Sequence, residues 1–392
     1  MSITIAHENI PIRVLASGTQ LEIPVFRFSG SPGPRVYIQA NIHGPEIAGI
    51  GAIHDLIAFL RTQSQIKGSL TIVPSANPVG LNAKHNGYQI GYADPNETVV
   101  GNFNRIYKMP VVETADEDEP KRLALRDFVA AHKDSDLPTI KAAFREGIRA
   151  ALMGLVQHKT PYGLSHGEKL ASILQGLSYD ADYLIDLHTA GEAIYHIFTF
   201  ESCVPSAMYF DIHHLPLLDD TFSGVLDEAF LQPWMRLVKV FAEAGREIAF
   251  DDFDLEAFTL ELGSADSINR QDMHTDAGRI INYLRHKGVL DGEVTQPHGG
   301  FFTCGHKDYR RYRAPTGGLV LWHVAPGDTV KAGDTLAVIL RAYAAQTDDS
   351  GEVEIPVKAV KDGLVINRAE SQVVHEGLSL CSIMSEIETI TQ

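Results

Sequence analysis

The chain has 392 residues, of which 44% are hydrophobic and 21% are charged. At roughly 100–200 residues per domain, this length predicts two or three domains, and the composition excludes a mainly disordered chain. The 33 Lys and Arg residues against 50 Asp and Glu residues give a net charge of −17. This charge opposes binding to nucleic acid or to an anionic membrane, so neither is expected as a partner.

The cysteines and the N-terminus indicate the compartment. Cys203, Cys304 and Cys381 form no CxxC pair, so neither a disulfide framework nor a thiolate zinc site is predicted. The N-terminus lacks a basic start before an apolar run, and no run reaches the roughly 18 apolar residues of a membrane span. We therefore expect a soluble cytoplasmic protein. Chain length and composition leave open whether it forms a homo-oligomer.

Short β-like runs alternate with helical patterns between residues 21 and 290, which predicts an α/β domain with a mostly parallel or mixed sheet. The candidate strands are LEIPVFRF, RVYIQANI, SLTIVPSA, DYLIDLH, YHIFTF and AFTLEL. Apolar residues at helical spacing up to Leu60 predict a helix that begins at about Pro45. Residues 108–180 break this alternation and are interpreted as a helical insertion, entered through the acidic, solvated loop ETADEDEP.

The sequence changes character after Gly288, where VLDGEVTQPHGG is typical of a linker. Beyond it lies an internal near-repeat, which predicts two strand-turn-strand halves and hence a small pseudo-symmetric β-barrel. The repeated positions are Val330, Gly333, Leu336 and Ile339, which match Val374, Gly377, Leu380 and Ile383 at a constant offset.

This C-terminal segment resembles biotinyl- and lipoyl-carrier domains. Their modified lysine would fall on Glu352, whose carboxylate cannot form the required amide. We therefore expect no biotin or lipoate in this domain, and a role in packing or oligomerisation.

Polar residues that could bind a metal ion follow two of the apolar runs. His43 and Glu46 lie three apart in a strand-to-helix turn at the carboxyl edge of the predicted sheet, where α/β proteins place their sites. An HxxE pair alone is weak evidence, because 17 histidines make about one such pair expected by chance. His188 ends the DYLIDLH run. Asp186 lies on the same predicted face, where it could orient the imidazole or cap a turn.

Two further segments carry candidate residues. Glu261 is a single carboxylate in an apolar run, and a buried charge requires either a salt bridge or a task such as general base catalysis. Asn104 and Arg105, in the loop sequence NFNR, could hold a carboxylate through the planar fork of the guanidinium.

Taken in order, the HGPE, NFNR, DLHTA and TLELG segments resemble the zinc carboxypeptidase superfamily, and specifically its succinylglutamate desuccinylase/aspartoacylase family. The resemblance covers about residues 20–290 and implies a zinc-carboxypeptidase-like mixed sheet flanked by helices. The C-terminal β domain is similar to the extra domain that members of this family carry. We accordingly predict a zinc-dependent hydrolase domain over 1–290 and a β-barrel domain over 301–392.

The resemblance also implies roles for single residues. It makes His43, Glu46 and His188 the ligands of one Zn²⁺ per chain and Glu261 the general base. Asn104 and Arg105 match the pair that anchors the substrate carboxylate. The implied reaction is hydrolysis of a linear amide, which removes an N-acyl group from an amino acid or a related small amine.

The sequence departs from the family at one point, because a further arginine expected shortly before the Asn-Arg pair is missing. Between Arg61 and Arg105 the basic side chains are Lys67, Lys84 and His85, so this departure concerns substrate binding and not the metal. Two alternative functions stay open. One is a metallocarboxypeptidase acting on C-terminal residues, and the other is a catalytically silent binding or assembly module.

Overall fold

The computed structural model describes residues 3–85, 88–93, 101–115, 122–341 and 353–390. The chain divides into two compact units. Unit 1 comprises Met1–His188, Asp220–Thr259 and Ile268–Thr295, and unit 2 comprises Thr189–Asp219, Leu260–Ser267 and Gln296–Gln392. The predicted domain ranges 1–290 and 301–392 stay a prediction. Glu352 and residues 116–120 of the acidic loop lie outside the described residues.

Strands and helices follow one another along most of the described chain. The strands are β1 (Thr4–Val14), β2 (Gln20–Ser29), β3 (Ser31–Ala40), β4 (Lys67–Val73), β5 (Lys84–His85), β6 (Tyr88–Gln89), β7 (Val111–Val112), β8 (Leu123–Ala124), β9 (Tyr183–Ala190), β10 (Glu192–Ala193), β11 (His196–Thr199), β12 (His214–Pro216), β13 (Glu256–Ser264), β14 (Phe301–Cys304), β15 (Tyr309–Arg313), β16 (Gly318–Trp322), β17 (Thr329–Val330), β18 (Thr335–Leu340), β19 (Glu354–Lys358), β20 (Gly363–Arg368), β21 (Val373–Val374), β22 (Ser379–Met384) and β23 (Glu388–Ile390). The α-helices are α1 (Ala48–Leu60), α2 (Pro78–Leu81), α3 (Leu125–His132), α4 (Leu137–Lys159), α5 (His166–Ser178), α6 (Val204–Ala207), α7 (Leu226–Glu243) and α8 (Arg270–His286).

Unit 1 is built on a mixed sheet in the order β1-β2-β4-β3-β9-β13. Strand β2 pairs antiparallel with β1 and β4, whereas β3 pairs in parallel with β4 and β9. The carboxyl ends of β3 and β9 therefore meet at one edge of the sheet, which is where α/β proteins place their sites. The predicted mixed α/β architecture is confirmed.

Helices cover both faces of this sheet, as neighbouring residues of β13 demonstrate. Phe258 contacts the Tyr283 ring of α8, with 5.2 Å between ring centroids. The next residue, Thr259, donates a hydrogen bond of 2.8 Å to Asp227 of α7. Because successive side chains of a strand point to opposite faces, α8 and α7 lie on opposite sides of the sheet. The predicted helical insertion contains α3, α4 and α5.

One predicted boundary is wrong. The first helix begins at Ala48 rather than at about Pro45. The preceding residues form tight turns instead, in which the Glu46 amide donates to the His43 carbonyl at 3.2 Å and the Ile47 amide donates to the Pro45 carbonyl at 3.0 Å. The spacing of apolar residues does not reveal such turns, because it shows only which side chains face the core.

The near-repeat of unit 2 is a structural repeat. Strands β15, β22 and β20 pair antiparallel in that order, and β17 also pairs with β20. Strands β19, β16 and β18 repeat this arrangement, with β21 beside β16. The short strand of each half therefore pairs with a strand in the sheet of the other half. Gly333 and Gly377 adopt matching positive φ angles of 94° and 83°, which glycine tolerates without strain.

The predicted closed barrel is not confirmed, because strand pairing among the described residues of unit 2 leaves separate open sheets. The repeated apolar positions nevertheless share one core, in which Leu336, Ile339, Leu380 and Ile383 are almost fully buried. No helix in the described ranges combines the length and apolar character needed to cross a membrane.

Close packing of α1 on the sheet yields a first prediction, at Gly49. A methyl group at Gly49 would lie 2.7 Å from the Leu187 Cβ and 2.8 Å from the Ala40 Cβ, closer than carbon atoms can approach. Both neighbours are held by strands, so the helix itself must shift. We expect Gly49→Ala to lower the free energy of unfolding by about 1–3 kcal/mol in urea titrations.

The matched control is Gly278→Ala in α8, where an added methyl group meets nothing within 4 Å. Since alanine favours helix over glycine by about 1 kcal/mol, this variant should be unchanged or more stable. Equal stability of the two variants would contradict the packing described for α1.

Candidate metal centre

The turn after β3 is organised by Asn41. Its backbone is left-handed, with φ of 63°, a conformation that asparagine adopts more readily than most residues. The Asn41 side-chain amide donates to the carbonyl oxygens of His43, Gly44 and Glu46, at 2.9, 3.1 and 3.3 Å. The Ser75 hydroxyl in turn donates to Asn41 Oδ1 at 3.0 Å. These bonds fold the chain back, so that Glu46 reaches His43.

Three buried side chains converge at this edge of the sheet. The Nδ1 atom of His43 lies 2.8 Å from Glu46 Oε1, and the Nδ1 atom of His188 lies 2.8 Å from Glu46 Oε2. His43, Glu46 and His188 are 7%, 3% and 3% exposed. One ligand atom from each lies within 4.8 Å of the other two, so these three residues, called the triad below, could hold a metal ion.

The second nitrogen of each imidazole faces an oxygen acceptor. His43 Nε2 lies 2.9 Å from Asn102 Oδ1, and His188 Nε2 lies 3.1 Å from Asp186 Oδ2. A proton on Nε2 of each ring would point toward these oxygens and leave the lone pair of Nδ1 directed at the triad. Histidine ligands of metals usually donate their other N–H to an oxygen in this way, which fixes both the tautomer and the ring orientation.

Burial and charge act in opposite directions on the triad. Burial favours the neutral form of Glu46, but the two imidazoles outweigh it and lower the pKa of that carboxyl to about 2. Burial likewise favours neutral His188, but Asp186 and Glu46 raise its pKa well above the ordinary value. The centre thus holds a carboxylate whose negative charge attracts a cation.

The chemistry of these donors suits zinc. Two imidazole nitrogens and one carboxylate leave a fourth position open, as in catalytic zinc sites, whereas Mg²⁺ and Ca²⁺ prefer oxygen ligands throughout. The donor set contains no cysteine, so it does not resemble a Cys-rich structural zinc site. The residues present therefore fit a divalent transition metal.

Asn104 and Arg105 lie in a short 3₁₀ helix, Phe103–Arg105, whose N-cap is Asn102. Asn104 is buried, and its Nδ2 atom lies 3.4 Å from His188 Nε2. Its Oδ1 atom is buried without a hydrogen-bond partner among the described residues, so it is available to a donor that enters the site. Arg105 is exposed, and its guanidinium donates to the Asn104 carbonyl at 2.6 Å.

Glu261 lies on β13 in the part that belongs to unit 2, and it is half-buried. Together with burial, its charge raises the pKa of Tyr309 in the same unit. Its role as general base stays a prediction. Lys84 and His85 are exposed on β5.

The fold of unit 1 and its buried triad define a mixed α/β protein with a centre suited to a metal ion. Residues 32–136 match the succinylglutamate desuccinylase/aspartoacylase catalytic domain. The crystal structure of a succinylglutamate desuccinylase/aspartoacylase family protein from Shewanella amazonensis SB2B is 32% identical, covers 98% of this chain and 100% of its own, and has a TM-score of 0.85. A Shewanella frigidimarina NCIMB 400 protein of the same description is 30% identical, with 99% of both chains covered and a TM-score of 0.85.

The chain therefore belongs to the succinylglutamate desuccinylase/aspartoacylase family, which confirms the resemblance found in the sequence. The product-bound ectoine utilization protein EutE (DoeB) from Ruegeria pomeroyi shares the fold, at 19% identity and a TM-score of 0.64, with 100% of this chain and 96% of that chain covered. No curated protein matches the chain.

Two residues of the centre were not predicted from the sequence. Asn41 was hidden inside a predicted strand, and only its left-handed backbone reveals its task. Asn102 lies in the NFNR segment and has no predicted role, although it both caps the 3₁₀ helix and accepts a hydrogen bond from His43 Nε2. An asparagine just before a short helix is a usual N-cap signal, so that half of its task could have been inferred.

The contact between Asp186 and His188 yields the second prediction. Asp186→Asn keeps the shape of the side chain but removes the charge that favours a proton on His188 Nε2. We expect the variant to bind Zn²⁺ about 10–100-fold more weakly, measured by competition with a chromogenic chelator.

Asp180→Asn is the control for this measurement. Asp180 precedes the same strand and pairs with Arg35 at 2.9 Å, away from the triad. Its loss should leave zinc affinity unchanged. Unchanged affinity in the Asp186 variant as well would show that Asp186 does not support the centre.

Proposed function

We propose that this protein is a zinc-dependent amidohydrolase that removes an N-acyl group from an amino acid or a related small amine. The observation that carries the proposal is the triad, in which both histidines direct Nδ1 at Glu46 while their Nε2 atoms face Asn102 and Asp186. Membership in a family of deacylases supports the same reaction.

In this proposal each residue has one task. His43, Glu46 and His188 hold the zinc, which, when bound, polarises the amide carbonyl and lowers the pKa of its water to about 7. Glu261 accepts a proton from the attacking water and passes it to the leaving amine. Asn104 and Arg105 bind the carboxylate of the substrate, for which the guanidinium of Arg105 offers two parallel donors.

The first test concerns the metal. Plasma mass spectrometry of the purified protein should find about one zinc per chain, and the double variant His43→Ala, His188→Ala should lose it because both nitrogen ligands are gone. His54→Ala is the matched control, since His54 is exposed on α1 beside Asp55 and should leave the metal in place. If the wild-type protein holds no metal even after zinc reconstitution, the proposed function fails.

The second test concerns the base. We expect Glu261→Gln to retain zinc while hydrolysis of N-acyl amino acids falls by about 10²–10⁴-fold, because glutamine cannot accept the proton. Glu256→Gln is the control on the same strand, where Glu256 pairs with Lys287 at 3.0 Å and accepts a hydrogen bond from Tyr283 at 2.7 Å. It should keep its activity. A fully active Glu261→Gln enzyme would contradict the role of general base.

The substrates in this assay also separate the proposal from its nearest alternative. A deacylase should release the free amine from N-acyl amino acids and leave short peptides intact. A metallocarboxypeptidase would do the reverse, and such a result would replace the proposed reaction while keeping the metal centre.

We further propose that residues 301–392 form a domain without a swinging cofactor arm. The intact mass of the purified protein should equal that of the unmodified chain. A mass increase equal to biotin or lipoate would overturn this part of the proposal.

A further inference from the structure

A chain of buried polar side chains continues behind the triad, away from the turn that holds Glu46. Tyr37 and Gln39 lie on β3 and Asp186 lies on the neighbouring β9. Their exposed fractions are 0%, 0% and 1%. A buried polar side chain is costly unless it is hydrogen-bonded, so a row of three in the middle of a sheet calls for an explanation.

The register of the two strands creates this row. In the parallel ladder Gln39 lies directly opposite Asp186. Tyr37 shares the face of Gln39 and His188 shares the face of Asp186, because side chains two apart on a strand point the same way. The row therefore ends at a member of the triad.

Hydrogen bonds run along the row in one direction. The Tyr37 hydroxyl donates to Gln39 Oε1 at 2.8 Å. Gln39 Nε2 donates to Asp186 Oδ1 at 3.0 Å. The other carboxylate oxygen, Asp186 Oδ2, lies 3.1 Å from His188 Nε2.

The chemistry of these groups permits only one orientation of the Gln39 amide. A carboxylate oxygen can only accept, so the NH₂ group of Gln39 must face Asp186. The carbonyl of Gln39 then faces Tyr37, which supplies the proton that it accepts. A reversed amide would place two oxygens against each other at Asp186.

We propose that Gln39 is a positioning residue of the metal centre. By occupying Asp186 Oδ1, Gln39 holds Asp186 so that Oδ2 stays 3.1 Å from His188 Nε2, and this charged contact keeps Nδ1 of His188 directed at the metal position. Gln39 thus sets the affinity of the centre without touching the metal. The inference rests on the proposed metal centre, but it does not depend on which amide the enzyme hydrolyses.

The test replaces Gln39 by Met, which keeps the length and flexibility of the side chain but has no amide. Zinc affinity is measured by chelator competition, and the centre is also loaded with Co²⁺, whose visible spectrum reports ligand geometry. We expect Gln39→Met to bind zinc about 10-fold more weakly and to alter the cobalt spectrum, because Asp186 and His188 lose their fixed orientation.

Two further variants keep the test decisive. Tyr37→Phe removes only the hydroxyl that orients Gln39, so it should fold like the wild type and weaken zinc binding in the same direction, by a smaller factor. Gln232→Met removes an equally buried amide, 1% exposed, whose Nε2 atom donates to the Thr221 carbonyl at 3.0 Å. It should leave zinc affinity and the cobalt spectrum unchanged.

The outcomes separate this inference from the proposed function. Wild-type zinc affinity in both Tyr37→Phe and a folded Gln39→Met would overturn the role of Gln39 while leaving the metal centre intact. Equal weakening by Gln232→Met would also overturn it, since the effect would then be a general loss of core stability. If the wild-type protein binds no zinc, the positioning role and the proposed function fail together.

Discussion

The carboxylate of Glu46 lies between two imidazoles inside the protein, and the turn and strands around it hold these three side chains together. A buried charge is costly unless partners of opposite character surround it, and His43 and His188 provide them on either side. Neither strand could deliver Glu46 to this position. The turn after β3 does so, because the Asn41 side chain donates to the carbonyl oxygens of His43, Gly44 and Glu46 and holds the turn closed.

The parallel pair of β3 and β9 supplies the rest of the centre. One face of β9 packs against α1, where Leu187 meets Gly49, and the opposite face carries Asp186 and His188. Alternation along a strand thus allows an apolar core and a polar row to be built from consecutive residues. Rigid packing on one face holds the backbone, so that hydrogen bonds on the other face can fix the orientation of an imidazole.

Unit 2 follows a different principle, in which one motif is used twice. The short strand of each half pairs with the longer strand of the other half, as β17 does with β20 and β21 does with β16. Gly318 and Gly363 occupy equivalent places, since a side chain at either would strike the carbonyl oxygen of the paired strand, at Leu340 and Met384. Exchange of this kind joins the two halves into one core, which neither could complete alone.

Local sequence was sufficient for the six candidate strands between residues 21 and 262, the helices of residues 108–180, the repeat and the family, because each depends on periodicity or on residues close together in the chain. It did not predict β1. His43 and His188 stood out because they end apolar runs, but their grouping with Glu46 came from the family resemblance, and the structure brings the three together. The predicted start of α1 is too early, because Asn41 holds the turn after β3 through side-chain hydrogen bonds that apolar spacing does not reveal. Only the tertiary structure brought Asn102 to His43 and aligned Gln39 with Asp186. Those contacts join residues 59 and 147 positions apart, so no local preference decides them. The register of β3 against β9 places Gln39 opposite Asp186.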